Sequence, residues 1–226
     1  MKKKLVTLAL GAGLVGAVNG QVLITGVVDG TQTGGNPKAI EIVATEAIAN
    51  LSIYYLIRDT NGAGPFDTFE QLPSIALSTG DFYYIYGNGD SETIMTGFGF
   101  PASSSDGAET NGVANVNGDD IIGLGTPNGT FTDGSTISQY DLIDSFGQEG
   151  QGDTNFYADS YAYRPNDSAA NPSGVFDAGN FTITAYSDSG LQATFGTYVV
   201  PEPSMYGAIV GILALSFAAT RRRRRG

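Results

Sequence analysis

The sequence of 226 residues predicts an all-β protein whose strands pack as a β-sandwich. Between residues 21 and 200 the apolar residues form short β-branched and aromatic runs, which Gly, Asn, Asp and Ser separate from one another. Apolar stripes with the period of a helix are nearly missing from this stretch. About ten short strands joined by loops of very different lengths favour an antiparallel sandwich over a parallel α/β sheet.

The first half of this stretch predicts five strands. Residues 22–28 form the first apolar run, and a loop rich in Gly and Thr follows it. In the second run Ile40 and Ile42 are two positions apart, so both point to one face of a strand. The predicted strands are 22–28, 38–43, 53–58, 66–69 and 82–86.

The second half begins with a long loop. Residues 99–118 contain mostly Ser, Gly, Asn and Ala, and they have too few apolar groups to pack by themselves. Four strands are predicted beyond the loop, and a final edge strand follows them. Residues 166–199 either complete the sandwich or form a separate stalk. The predicted strands are 121–124, 142–146, 161–164, 181–186 and, at the edge, 194–199.

Most of the basic residues lie near the two ends of the chain. Of 11 basic residues, three lie in the first 20 residues and five in the last six. Residues 21–200 therefore keep three basic residues against 22 acidic ones, a formal charge of −19. A surface this acidic repels phosphate backbones, which argues against nucleic acid as a partner.

Two residue types that support catalysis or cross-linking are missing. The sequence contains no Cys, so an exported fold must hold without disulfides. It contains no His, which removes Ser-His-Asp and Cys-His catalysis together with the commonest zinc ligand. A pair of carboxylates acting on a glycosidic bond remains as the one enzyme hypothesis, but no local motif selects such a pair. We therefore predict that the chain is not an enzyme.

Residues 1–20 have the pattern of a secretory signal peptide. Lys2, Lys3 and Lys4 form a positive n-region, and an apolar h-region covers residues 5–18. Small or permissive residues then precede a predicted cleavage near Gln21. We therefore expect the body of the protein to be exported.

Residues 200–226 combine three features in a fixed order. Pro201, Glu202 and Pro203 come first, and an uncharged apolar run follows at 204–220. This run has 17 residues, near the short limit for a helix that crosses a hydrocarbon core of about 30 Å. The basic block that follows would stop translocation and stay on the cytoplasmic side. The block consists of Arg221, Arg222, Arg223, Arg224 and Arg225.

This tail resembles a PEP-CTERM sorting signal. The resemblance implies an exosortase-type enzyme as a partner, which recognises the Pro-Glu-Pro triplet and cleaves near it. It also implies a Gram-negative bacterium, an intermediate anchored in the inner membrane, and delivery to the cell surface or the extracellular matrix. An ordinary C-terminal membrane anchor is the alternative.

The order of the runs in residues 21–165 carries a second resemblance. Three opening strands precede a Gly-Asp turn at Gly80, which leads into an aromatic strand. A Gly-Asp-Asp step at Gly118 then leads into an aliphatic strand, and a strand with Asp144 follows. This order resembles the lamin-tail domain, although Ala39 stands where that family usually has an aromatic residue. The resemblance implies an immunoglobulin-like antiparallel sandwich that serves as an accessory or adhesive module.

Asn117, Asp119 and Asp120 form a candidate metal site. At a turn, their oxygens can converge on one cation, and calcium takes about 6 to 8 such oxygens in flexible geometry. The alternative is that Asp119 caps the turn through its own backbone amides. No EF-hand or nonapeptide calcium pattern is present. We predict no cofactor, with calcium left as an open alternative.

Tyr54, Tyr83, Tyr84 and Tyr86 form a candidate sugar-binding face, because exposed aromatic rings stack on sugars and Tyr adds a hydroxyl. The alternative is that these rings belong to the core, since consecutive residues of a strand point to opposite faces. Together these features predict a non-catalytic surface or matrix protein associated with extracellular polysaccharide. A carbohydrate- or calcium-binding module and an acid-pair glycoside hydrolase are the alternatives.

Overall fold

Within the part of the chain that the structure describes, the fold has ten β-strands and two short α-helices, with a few 3-10 turns between them. The computed structural model describes residues 22–128, 140–148, 150, 152, 155–166, 168–174 and 178–201. In chain order the first six strands are β1 (Val22–Gln32), β2 (Asn36–Ala44), β3 (Tyr55–Asp59), β4 (Thr68–Gln71), β5 (Phe82–Tyr86) and β6 (Ala108–Thr110). The remaining strands are β7 (Ile121–Pro127), β8 (Tyr140–Phe146), β9 (Ser160–Tyr163) and β10 (Thr182–Ala185). Helix α1 (Gly89–Gly97) follows β5, and helix α2 (Asp188–Thr194) follows β10.

The strands form two sheets, which confirms the predicted all-β class. One sheet has six strands in the order β10-β9-β1-β2-β5-β6, and the other has four in the order β4-β3-β7-β8. A single apolar core lies between them, with Ile24, Ile42, Leu56 and Leu124 among its buried members. All strand pairs are antiparallel except β5 and β6, which run parallel. The sequence had led us to expect purely antiparallel sheets, and the parallel pair of β5 and β6 corrects that expectation.

The six-stranded sheet is covered on both faces. Its inner face packs on the four-stranded sheet, whereas a second apolar cluster lies on its outer face, beneath α1 and α2. Met95 of α1 and Leu191 of α2 belong to this second cluster. As a result, every residue of β2 is buried. Burial on both faces explains why β1 and β2 read as nearly continuous apolar runs.

The two helices were not predicted, and both begin with a capping side chain. The Asn88 side chain accepts a hydrogen bond from the Ser91 amide at the start of α1, and the Ser187 side chain accepts one from the Gly190 amide at the start of α2. Such caps satisfy amides that have no partner within the helix. The predicted edge strand 194–199 is wrong, because Thr194 ends α2 and the chain continues without a strand to Pro201.

Two other sequence expectations need correction. The loop 99–118 does contribute to the core: it contains β6, and Val113, Ala114 and Val116 are buried among residues of both sheets. Its few apolar groups suffice because they pack on strands that are already present. The third strand begins at Tyr55 rather than at residue 53, since Leu51–Ile53 form a 3-10 turn.

The described residues between 166 and 199 complete the sandwich rather than form a stalk. Strand β10 pairs with β9 along Thr182 to Ala185, and the chain then returns through α2 across the outer face of the sheet. Tyr198 packs against Leu23 and Val43, near the first residues of β1. The two ends of the described chain therefore meet at one end of the sandwich, which we call the terminal end.

The opposite end is formed by the turn between β1 and β2, and we call it the hairpin end. Gly34 and Gly35 have φ angles of 80° and 73° there, a region that favours glycine. The N-terminus of α1 and the turn at residues 115–120 lie at the same end, because β5 runs toward it and β7 starts from it.

Candidate functional site

The predicted metal site is a hydrogen-bonded turn. Asp120 accepts hydrogen bonds from the Asn117 amide (2.7 Å) and from the Asn61 amide (2.8 Å), one on each carboxylate oxygen. The alternative named Asp119 as the residue that caps the turn, whereas the carboxylate that accepts these two backbone amides is that of Asp120. Across the described residues, no group of three His, Cys, Asp or Glu side chains is arranged to hold a metal ion.

The cation that contacts Asn117 is the ammonium group of Lys38. It donates hydrogen bonds to Asn117 Oδ1 (2.8 Å), to Asp29 Oδ1 (3.1 Å) and to the Val116 carbonyl. A Cβ added to Gly35 would lie 2.9 Å from Asp29 Oδ1 and 3.0 Å from Lys38 Nζ, so a side chain there would displace the ends of this ion pair. Burial raises the pKa of the Asp29 carboxyl, and the bond to Lys38 works in the opposite direction. Sequence reasoning had assigned Asn117 to calcium and had not considered Lys38 as the cation.

The four tyrosines predicted to stack on sugars are buried. Tyr54, Tyr83, Tyr84 and Tyr86 have exposed fractions between 0% and 6%. Tyr83 points into the core between the sheets, whereas Tyr84 and Tyr86 lie under the helices on the outer face. The Tyr86 hydroxyl donates to the Pro101 carbonyl at 2.6 Å. Burial raises the pKa of all four hydroxyls. These rings are core residues, as the alternative interpretation held, and they offer no face to a sugar.

Two glutamates have strongly raised pKa values, and they differ in access. Glu41 is fully enclosed beneath the chain that follows α2, where it accepts hydrogen bonds from the Thr25 hydroxyl (2.7 Å) and the Gly196 amide. Burial raises the pKa of its carboxyl to about 7. Glu109 on β6 is only partly buried, and burial together with the charge of Glu70 raises the pKa of its carboxyl to about 7. Neither residue lines the polar cleft that lies between the β1–β2 turn and helix α1.

A polar cleft of about 600 Å³ lies at the hairpin end, between the β1–β2 turn and helix α1. One wall is the turn itself, contributed by Thr31, Gln32, Thr33 and Asn36. The other wall is the exposed side of α1, contributed by Asp90, Thr93 and Ile94. We call this site the hairpin cleft. Sequence reasoning missed it because its two walls are more than 50 residues apart in the chain.

The walls of the hairpin cleft are joined by buried hydrogen bonds. Asn36 Oδ1 accepts from the Ser91 hydroxyl (2.8 Å) and from Asn88 Nδ2 (3.1 Å), which links the turn to the start of α1. The Lys38 amide donates to Ser91 Oγ at 2.8 Å, and Asn36 Nδ2 donates to the Thr33 carbonyl at 2.8 Å. Because Asn36 and Ser91 are almost fully buried, these bonds hold the two walls at a fixed separation.

The terminal end contains the segment that leads to the predicted sorting motif. The Tyr198 hydroxyl donates to the Ser168 carbonyl at 3.1 Å, and the Val199 amide donates to Asn166 Oδ1 at 2.8 Å. Pro201 is exposed, whereas Glu202, Pro203 and the five arginines lie outside the described residues, as does the signal peptide. No helix within the described ranges has the length and apolar character of a membrane span.

The fold and the site define this chain as an all-β sandwich protein with a polar cleft at one end. No protein-family model matches the sequence, and no curated protein matches it either. The resemblances to PEP-CTERM tails and to the lamin-tail domain therefore rest on the sequence patterns alone.

Proposed function

We propose that this chain is an exported bacterial protein of the cell surface or extracellular matrix, which acts by contact rather than by catalysis. A signal peptide at residues 1–20 directs its export. The tail then holds it in the inner membrane of a Gram-negative bacterium until an exosortase-type enzyme cuts near Pro201, Glu202 and Pro203. The observation that carries the proposal is the strict order of the triplet, the apolar run 204–220 and the arginine block.

The position of the tail relative to the sandwich supports this proposal. The last contacts of the body are made by Tyr198, Val199 and Val200, and the triplet begins at Pro201, which is exposed. The apolar run begins three residues beyond Pro201, at residue 204. A membrane-held intermediate would therefore keep its terminal end close to the bilayer, and the hairpin end would point away from it.

The two-sheet architecture supports the finer proposal of a lamin-tail-like, immunoglobulin-like module. The Gly-Asp turn at Gly80 does lead into β5, and the step at Gly118 does lead into β7. Strand β10 and helix α2 would be additions to that module, since they lie in residues 166–199. A carbohydrate-binding module is the second candidate, which the polar hairpin cleft favours.

The proposed processing is tested by the intact mass of the protein recovered from the cells that produce it. We expect a product that lacks residues 1–20 and the arginines Arg221 to Arg225. A Glu202→Ala variant should retain the tail and stay in the membrane fraction. The control is Val199→Ala, which changes an exposed residue just before the triplet and should be processed normally. A wild-type product that still carries the five arginines would overturn the proposal.

A further inference from the structure

We infer that the hairpin cleft binds a neutral polysaccharide. The inference takes from the proposed function only the setting, a surface rich in extracellular polysaccharide. It adds the binding site, the residues that make contact and the class of polysaccharide. Each part is derived from the side chains that line the cleft.

The cleft presents polar groups that the fold itself leaves unused. The side chains of Thr31, Gln32 and Thr33 are exposed, and they make no hydrogen bond within the described residues. The same holds for the Asp90 carboxylate. Hydroxyl and carboxamide groups both donate and accept hydrogen bonds, which suits the hydroxyls of a sugar. Ile94 adds an aliphatic surface for the C–H face of a sugar ring.

The cleft is also rigid and large enough. Its volume of about 600 Å³ falls within the range of about 300–1,000 Å³ that ligand sites occupy. The buried bonds of Asn36 to Ser91 and Asn88 fix the turn against α1 before any ligand arrives. A preformed site loses less entropy on binding than a flexible one, so a few hydrogen bonds can produce measurable affinity.

Charge selects a neutral ligand over an acidic one. Asp90 is the one charged residue that lines the cleft, and residues 21–200 carry a formal charge of −19. A polysaccharide that contains carboxylate groups would be repelled both by Asp90 and by the surface around it. A neutral chain meets no such cost, and the Asp90 carboxylate can accept hydrogen bonds from its hydroxyls.

The inference is tested by electrophoresis of the full chain through native gels that contain polysaccharide. The protein is purified in a poly(oxyethylene) detergent, because a detergent with a sugar headgroup would compete for the cleft. The neutral probes are dextran, mannan, galactan and xylan, and the acidic probes are alginate and polygalacturonate. We expect at least one neutral polysaccharide to retard the wild-type chain in a saturable manner, while the acidic ones leave its migration unchanged.

Variants locate the binding to the cleft. Thr31→Val and Gln32→Met remove polar groups while keeping shape, and together they should weaken binding by roughly tenfold or more. Thr182→Val is the matched control, since Thr182 is also an exposed threonine on a strand but lies on β10. Both cleft side chains lack partners in the fold, so the stability of the chain should stay within about 0.5 kcal/mol of wild type.

A charge-matched pair tests the selectivity. Asp90→Asn removes the carboxylate from the cleft and should let an acidic polysaccharide retard the chain weakly, because the surface around the cleft still repels it. Glu46→Gln removes one charge from an exposed position at the terminal end and should leave the selectivity unchanged.

The outcomes separate this inference from the proposed function. A wild-type chain that no neutral probe retards, or a Thr31→Val/Gln32→Met variant that binds as well as wild type, overturns the inference and leaves the sorting proposal intact. If the wild-type chain binds a neutral polysaccharide but the protein recovered from the native cells still carries its five arginines, the sorting proposal alone is overturned.

Discussion

The two ends of the sandwich are each held by a buried basic side chain, but Arg164 and Lys38 work differently. At the terminal end, Arg164 donates to Asp144 Oδ2 (2.6 Å), to the Ile24 carbonyl (2.7 Å) and to the Ala169 carbonyl (2.6 Å). Its guanidinium also lies 4.5 Å from the centre of the Phe181 ring. The pair of Arg164 and Asp144 has no exposed side-chain surface.

At the hairpin end, Lys38 makes fewer and less enclosed contacts. Its ammonium contacts one carboxylate, one amide oxygen and one carbonyl, and the side chain of Asp29 keeps 10% of its surface exposed. A guanidinium offers a planar fork with fixed directions, whereas an ammonium is a compact point charge on a flexible stem. The arginine therefore seals the terminal end around one rigid centre. The lysine braces the hairpin end, beside which the polar cleft lies open.

Replacement of Arg164 should lower the free energy of unfolding more than any other change considered for the two ends. An Arg164→Met variant would leave the Asp144 carboxylate buried without its cation, which typically costs about 3–5 kcal/mol of unfolding free energy. Urea denaturation of the purified chain measures it. The control is Arg58→Met, because the half-buried Arg58 donates to backbone carbonyls, including that of Asn115, rather than to a buried carboxylate, and its loss should cost about 1 kcal/mol. Equal losses in the two variants would show that enclosure of Arg164 contributes nothing.

The sequence predicts the sheets of this molecule much better than the helices and side-chain contacts that hold the sheets together. Alternating and continuous apolar runs locate most strands, since strand periodicity is local. Helices α1 and α2 are short, and each buries only one large apolar side chain, Met95 or Leu191, so neither shows a helical stripe. Their caps at Asn88 and Ser187 were the one available signal. In the sequence, Arg164 is only the last residue of a predicted strand. Its partners Asp144 and Ile24 lie 20 and 140 residues away in the chain, so no local pattern reveals them.

Glu41 is a buried carboxyl group that, unlike Asp144, has no cation among its partners. Since its pKa is raised from 4.5 to about 7, the folded chain keeps this proton at pH values where the unfolded chain has lost it. The higher proton affinity of Glu41 in the folded chain therefore contributes its full stabilisation below pH 4.5. This stabilisation of the folded state is lost as the pH rises through about 7. The shift corresponds to about 3 kcal/mol, measured as the unfolding free energy between these pH values.

A Glu41→Gln variant should remove the part of this slope that Glu41 causes. Glu109 has a raised pKa in the same range, so some slope remains in the variant. Glu46→Gln, at an exposed position, is the control and should keep the slope of the wild-type chain. An unchanged slope in Glu41→Gln would mean that Glu41 is not the group that binds the proton.

Loss of Lys38 should cost less than loss of Arg164. A Lys38→Met variant leaves Asp29 Oδ1 and Asn117 Oδ1 without their donor, but Asp29 can reach water at the rim. We expect a loss of about 2 kcal/mol in urea denaturation. A cost as large as that of Arg164→Met would contradict the view that the hairpin end is the more open of the two.

The hairpin cleft was not predicted, whereas the candidate metal site was predicted as a polar turn but without its contacts. Asn117 and Asp120 were correctly identified as a polar turn, because Asn-Gly-Asp-Asp is a turn sequence. What surrounds that turn depends on the β1–β2 hairpin, whose Lys38 lies 79 residues from Asn117. Spacing within a local motif cannot reveal a cation that arrives from so far along the chain.

The smallest expected effect is the response to calcium, and it separates a lysine-filled site from a metal site. Lys38 already occupies the oxygens of Asp29, Asn117 and Val116, so the melting temperature of the wild-type chain should be the same in millimolar calcium and in excess EDTA. The Lys38→Met variant vacates three oxygens, fewer than the about 6 to 8 that calcium takes, so calcium should raise its melting temperature only slightly. A clear rise in the wild-type chain would mean that calcium binds elsewhere or displaces the ammonium. A rise confined to Lys38→Met would show that the lysine takes the place of a bound cation at the hairpin end.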